Sequence, residues 1–189
     1  MKSPIRKSTI EAVRQHIADA RDPIAAGVAV ASVSAGLGLA LLAMTLQVTS
    51  RRKSFSGDRA CLKALLNAAN KESGRLLRYA DQDIATYQKY RESLRRKSGV
   101  DAARRRIIET PLEAASSAAQ GLDLCAEAMS LVPQSVVSDV GAAAEVLAGA
   151  VRAILLTVDV NLREVPAGSK LRREWNKKRK ELGRRVSQR

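Results

Sequence analysis

Residues 23–50 read PIAAGVAVASVSAGLGLALLAMTLQVTS and hold no charged side chain. The run is long enough to cross a bilayer, and it is flanked by Arg21 on one side and by Arg51, Arg52 and Lys53 on the other. Its residue types point elsewhere. Ala, Gly, Ser and Thr dominate it, Gln47 interrupts it, and it begins too deep in the chain for a secretory signal. A helix that is apolar all round is expected where other helices enclose it, and the small residues Gly27, Ala31, Ser34, Ala35 and Gly38 let neighbouring backbones come close. In a chain of 189 residues so complete an enclosure is easier to build if a second subunit covers one face.

The rest of the chain supplies the surrounding helices. Aromatic residues make up only 3%, so the core must be built from Ala, Leu, Val and Ile, and no alternating run makes a convincing strand. The pattern predicts an opening amphipathic helix over 6–20, broken by Asp22 and Pro23. A long helix capped by Ser56 or Asp58 runs to Lys97, with Cys61, Leu65, Leu76, Ala80, Ile84 and Tyr87 as its apolar stripe. After Ser98-Gly99 a short basic helix covers 101–109, and Thr110-Pro111 starts another that ends near Leu131. A loop over 133–138 leads into a second apolar helix, 139–162, and Pro166-Ala-Gly168 breaks the chain again. The expectation is therefore an all-α bundle over 1–165 with a buried central apolar helix, followed by a basic C-terminal helix or tail over 166–189.

Charge limits the partners. Lys and Arg exceed Asp and Glu by 33 to 19, giving +14, and from Arg163 onward 11 basic residues face 3 acidic ones. An anionic partner is implied, whereas a solvated or frayed terminal helix accounts for the end of the chain more simply. Nucleic-acid binding would want a recognisable module or interleaved aromatics, and a membrane partner would want the span set aside above, so neither is expected. Trp175, alone among charges, is expected to pack its ring on the body. Cys61 and Cys125 lie far apart in apolar surroundings and read as reduced core thiols, which suits a cytoplasmic setting. With one histidine, His16, to which no role falls, a zinc site is close to excluded.

Four segments, in order, resemble the formiminotetrahydrofolate cyclodeaminase and methenyltetrahydrofolate cyclohydrolase family. Residues 138–143, Ser-Asp-Val-Gly-Ala-Ala, followed by 158–162, Val-Asp-Val-Asn-Leu, are similar to the family's SDvgvAA and NVxINL blocks. Residues 35–44 with Thr49 and Arg51-Arg52-Lys53 resemble its AlgaaLaaMVanlT-x-kkk stretch, Asp83 to Tyr87 its DxeAF, and Thr110-Pro111-Leu112 its vP step. The family's PTPGGGS loop falls on residues 23–29, where only Pro23 and Gly27 match; Thr157 and Gln47 stand where the family has Asn.

The resemblance implies an all-helical homodimer acting on a tetrahydrofolate one-carbon derivative. Water adds at a methenyl bridge to give formyltetrahydrofolate, or ammonia leaves as a formimino group cyclises. The hydrolytic reaction is preferred because no formiminotransferase segment accompanies the 189 residues. Such chemistry needs neither metal nor redox cofactor, but it needs a proton shuttle and a group that stabilises a cationic centre. Asp139 and Asp83 are the candidate catalytic carboxylates, though Ser138-Asp139 would equally cap a helix and Asp83 would equally sit in an ion pair. Gly27, Ser138 and Asn161 are candidates for contacting the folate, and Arg52 and Lys53 for meeting its glutamate tail, polyanionic when polyglutamylated. Asn161 would as readily satisfy a helix end, and Arg52 and Lys53 the dipole of the preceding helix. Two other readings stay open: a catalytically degenerate member that binds or scaffolds, and a basic nucleic-acid-binding module.

Overall fold

The computed structural model describes residues 7–20 and 26–187. Among these it holds six α-helices and no strand: α1 (Ile10–Ala18), α2 (Ala26–Arg51), α3 (Arg59–Arg96), α4 (Val100–Met129), α5 (Val137–Leu162) and α6 (Lys170–Ser187), with a 3-10 turn at Gln134–Val136 before α5. Helices α2, α3, α4 and α5 form a four-helix bundle in which each packs on its two neighbours.

Named contacts fix the bundle as up-down-up-down. The Ser73 hydroxyl on α3 donates to the Gly36 carbonyl on α2 at 2.8 Å, and further along Ala29 packs with Ala80 and Ile84, so α2 and α3 run antiparallel. Ser117 on α4 donates to the Glu72 carboxylate on α3, Gly121 on α4 meets Leu147 on α5, and Gly38 on α2 abuts Val146 on α5. Leu39, Leu42, Leu46, Leu76, Ile108, Leu112, Leu147 and Ile154 fill the middle and are fully buried. A β-carbon on Gly121 would come within 2.9 Å of a Leu147 methyl and 3.1 Å of one on Leu39, so glycine lets three helices converge there.

The helix ends follow their local chemistry. The Asp58 carboxylate accepts from the backbone N–H groups of Ala60 and Cys61 and caps α3. At the other end Ser98 N–H donates to the Ser93 carbonyl and Lys97 N–H to that of Leu94, a Schellman closure with Lys97 left-handed at φ 52°. Gly99, at φ 68°, then lets the chain reverse within three residues into α4.

Several expectations are corrected. The opening helix is shorter than 6–20: it begins at Ile10 behind a Thr9 cap and ends at Ala18, while Arg6 and the break at Asp22-Pro23 lie outside the described residues. The two helices expected over 101–131 are one, α4, which continues through Pro111. On α3 the buried stripe is Leu62, Leu65, Ala69, Glu72, Leu76, Ala80, Asp83 and Tyr90, so Cys61 is exposed rather than a core thiol and Tyr87 faces outward. Cys125 is buried as expected, and no disulfide joins the two.

The charged C-terminal segment is not frayed. Helix α6 lies across α4 and α5 with Trp175, Leu182 and Val186 buried beneath it. Arg179 grips Asp159 of α5 with two hydrogen bonds of 2.7 and 2.6 Å, and Arg185 pairs with Asp123 of α4. Both α2 and α5 are long and apolar enough to cross a membrane by length and composition. Each is nonetheless packed on one side against two other helices of the bundle.

Candidate active site

The candidate residues separate into two groups at opposite ends of the bundle. Gly27, Asp83 and Asn161 lie at the end where α2 begins. Arg52, Lys53, Ser138 and Asp139 lie at the end where α2 stops and α5 starts. About 37 Å of helix rise separates Gly27 from Arg52.

At the first end four helices converge. Gly27 on the first turn of α2 faces Thr157 of α5, whose hydroxyl would lie 3.4 Å from an added β-carbon. The register set by Ala29 and Ala80 puts Asp83 of α3 level with that turn. Asp83 is only 5% exposed, and its Oδ2 is buried with no hydrogen-bond partner. Loss of hydration disfavours the charged form, and the carboxyl is pushed up from 3.8 to about 7. The ion pair expected for it is absent among the described residues. Ser32 on α2 and Thr110 on α4 also carry buried hydroxyls without partners. Buried polar groups are nearly always satisfied in native folds, by protein or by ordered water, so these three are places where water or a ligand's polar atoms would be received.

A groove of about 500 Å³ runs between α3 and α4; Gln82, the chain neighbour of Asp83, lines it, while Asp83 itself is turned into the bundle. Gln82, Thr86 and Lys89 line one wall; Gly99, Ala103 and Arg106 line the other. Sequence reasoning missed Lys89 and Arg106, which are lost among 33 basic residues. Their signal is the one-turn spacing on each helix: 82, 86, 89 on one and 99, 103, 106 on the other.

Asn161 does something unforeseen in detail. Its Nδ2 donates to the Ile107 carbonyl at 2.7 Å. That carbonyl belongs to the residue four before Pro111, the one a proline leaves without its helical donor. Asn161 therefore satisfies a helix, in the interior of α4 rather than at an end.

At the opposite end, Arg52 donates from Nη2 to the Ser135 hydroxyl at 2.6 Å and lines a cavity of about 280 Å³ with Thr49, Phe55, Ser130 and Pro133. Arg59 stacks on the Phe55 ring and donates to the Ser50 carbonyl. Lys53 is exposed in the turn after α2. Ser138 and Asp139 lie inside the first turn of α5, whose N-cap position is Val136, so neither caps the helix. Ser138 is exposed and Asp139 half-buried. Residues 23–25 of the glycine-loop equivalent lie outside the described residues, while Val28 is buried in the core. Among the described residues no three His, Cys, Asp or Glu side chains gather as a metal site.

A comparison with known proteins decides the family. The formiminotransferase-cyclodeaminase profile matches residues 9–181. The chain belongs to that family. The crystal structure of formiminotetrahydrofolate cyclodeaminase from Thermotoga maritima superposes with a TM-score of 0.90 over 97% of this chain and 92% of that one. At 17% identity that likeness shows a shared fold. Comparison with curated protein sequences gives no match. The chain is thus a cyclodeaminase-family domain, and the family places its function in folate chemistry.

Proposed function

We propose that this cyclodeaminase-family chain is a folate-dependent one-carbon enzyme that hydrolyses methenyltetrahydrofolate to formyltetrahydrofolate, working as a cytoplasmic homodimer without metal or redox cofactor. The observation that carries the reading is the state of Asp83: buried, with an unpartnered oxygen, and its carboxyl pushed up by burial to about 7. A carboxyl with a pKa of about 7 is present in both protonation states at neutral pH, which suits proton transfer in both directions.

Asp83 as carboxylate accepts a proton from water as the oxygen bonds to the methenyl carbon. The product is a neutral carbinolamine. Protonated Asp83 then donates to the leaving ring nitrogen, the carbon–nitrogen bond breaks, and the carbinol hydroxyl releases its proton to solvent as the formyl carbonyl forms. The ionised form of Asp83 also offsets the positive charge of the methenyl bridge. Lys89 and Arg106, in the groove between α3 and α4, suit the carboxylates of the glutamate tail. The other family reaction, cyclisation of a formimino group with loss of ammonia, makes the same demand on Asp83.

A second reading, a member that binds folate without turnover, is favoured by one observation. Val28, 1% exposed, fills the core where the resemblance puts a loop glycine. The experiment is absorbance-monitored hydrolysis of methenyltetrahydrofolate, corrected for the spontaneous rate, with wild type beside Asp83→Asn. Turnover that falls 100-fold or more, about the low end for loss of a proton-transfer group, supports the enzyme. A folded wild type with no turnover but saturable folate binding selects the second reading.

A further inference from the structure

The outward side of α6 carries a row of cations. Arg173, Lys177, Lys180 and Arg184 recur at steps of four, three and four, which at 3.6 residues per turn keeps them within about 60° of one another over a length of about 17 Å. All four are exposed, and among the described residues none of them makes an ion pair. The other side of the helix is fixed to the body. Trp175, Leu182 and Val186 are buried beneath it, and Arg179 and Arg185 are taken up by Asp159 and Asp123. The row is therefore held straight and in place.

Its charges work against the helix that bears them. Like charges one turn apart weaken a helix, and the row sets three such neighbours in succession. On α3 and α4 the surface cations Arg96, Arg104 and Arg106 each meet a carboxylate one turn away. On α6 the two carboxylates, Glu174 and Glu181, stand to one flank, about 80° round the helix from the row. Solvation alone does not call for such segregation, whereas a polyanion laid along the row turns the repulsion into attraction.

The shape of the surface selects the polyanion. The row is a ridge, so a small anion would meet only one or two of its cations. No apolar side chain belongs to it; a helix lying in a membrane surface turns its apolar face to the lipid, and the apolar face of α6 is turned to α4 and α5. A nucleic-acid duplex is a rigid line of charge with a phosphate about every 3.4 Å of axis on each strand, so about five phosphates of one strand run the length of the row. We infer that α6 is a docking ridge for the phosphate backbone of a nucleic-acid duplex, a binding function separate from the folate reading. The lack of a base-reading module, which from the residues alone argued against nucleic acid, makes the contact indifferent to sequence, because phosphate contacts carry no base information.

The experiment follows binding of a mixed-sequence duplex of about 20 base pairs by fluorescence anisotropy between about 50 and 200 mM salt. Four phosphate contacts give a slope of log affinity on log salt of about −3.6, a loss of about 150-fold across that range. Arg173→Gln, Lys177→Gln, Lys180→Gln and Arg184→Gln combined are expected to remove most of that slope, and Lys177→Gln alone about 0.9 of it. A control carries Lys63→Gln, Lys71→Gln, Arg91→Gln and Arg105→Gln, exposed cations of α3 and α4 whose loss lowers the net charge equally, and is expected to keep the wild-type slope. Unchanged Trp175 emission verifies that α6 stays docked; if the fourfold variant undocks, Lys177→Gln decides. A wild type that does not bind the duplex at the lowest salt overturns the inference. So does an equal loss in the row variant and the control, which makes net charge the whole cause. Tighter binding to vesicles of phosphatidylserine and phosphatidylcholine than to the duplex at the same salt also overturns it, in favour of a lipid surface.

Discussion

The Asn161 side chain donates to the Ile107 carbonyl at 2.7 Å, and Ile107 is the residue whose helical partner Pro111 removes. One side chain on α5 thus repairs a defect in α4 and ties the two helices together at the Asp83 end. Asn161→Ala is expected to cost about 1–3 kcal/mol, the penalty for leaving a buried acceptor unpaired. Pro111→Ala restores an N–H donor, so in that background the same change should cost much less. A double-mutant cycle by urea denaturation reads the coupling.

Asp83 makes stability depend on pH in the direction opposite to a salt-bridged carboxylate. Its folded value, about 7, lies above its ordinary 3.8, so the native state holds the proton more tightly than the unfolded chain. Below about pH 4 both states are protonated and there is no penalty. Stability then falls as pH rises towards 7, by something on the order of a few kcal/mol in all. Asp83→Asn is expected to flatten this profile and to be more stable than wild type at pH 8. Chemical denaturation between pH 4 and 8 measures it, and a wild type more stable at pH 8 than at pH 5 while Asp83→Asn is flat would refute the assignment.

Gly121 is a packing requirement. Gly121→Val places branched carbon against Leu39 and Leu147, and overpacking of this kind costs about 1–3 kcal/mol. A lowered denaturation midpoint at unchanged slope is expected.

Trp175, the one tryptophan in the chain, reports the docking of α6. At 9% exposure its emission should be blue-shifted in the native protein. Asp159→Asn loosens the pair with Arg179; both side chains are about a third exposed, so solvent screening limits the loss to about 1 kcal/mol. Faster amide exchange confined to α6 is the expected signature, with a red shift of Trp175 if the helix detaches.

Much of this was legible in the residues. The uncharged run at 23–50, the near absence of aromatics and the Asp58, Ser98-Gly99 and Pro166–Gly168 punctuation determine an all-α protein with a central apolar helix, because helix periodicity and caps are local properties. The ordered family blocks point to folate chemistry by the same route. The continuity of α4 was not legible, since Pro111 reads locally as a helix start and only Asn161, 50 residues on, makes its interior position tolerable. The burial of Asp83 was not legible either, because a carboxylate on an amphipathic helix reads as solvated or paired until the facing helices exclude water. Sequence order also joined Asp139, Ser138, Arg52 and Lys53 to Asp83, Gly27 and Asn161 as one candidate site. Antiparallel packing places them at opposite ends, because a motif records which residues occur, whereas the direction and register of neighbouring helices decide which ones meet.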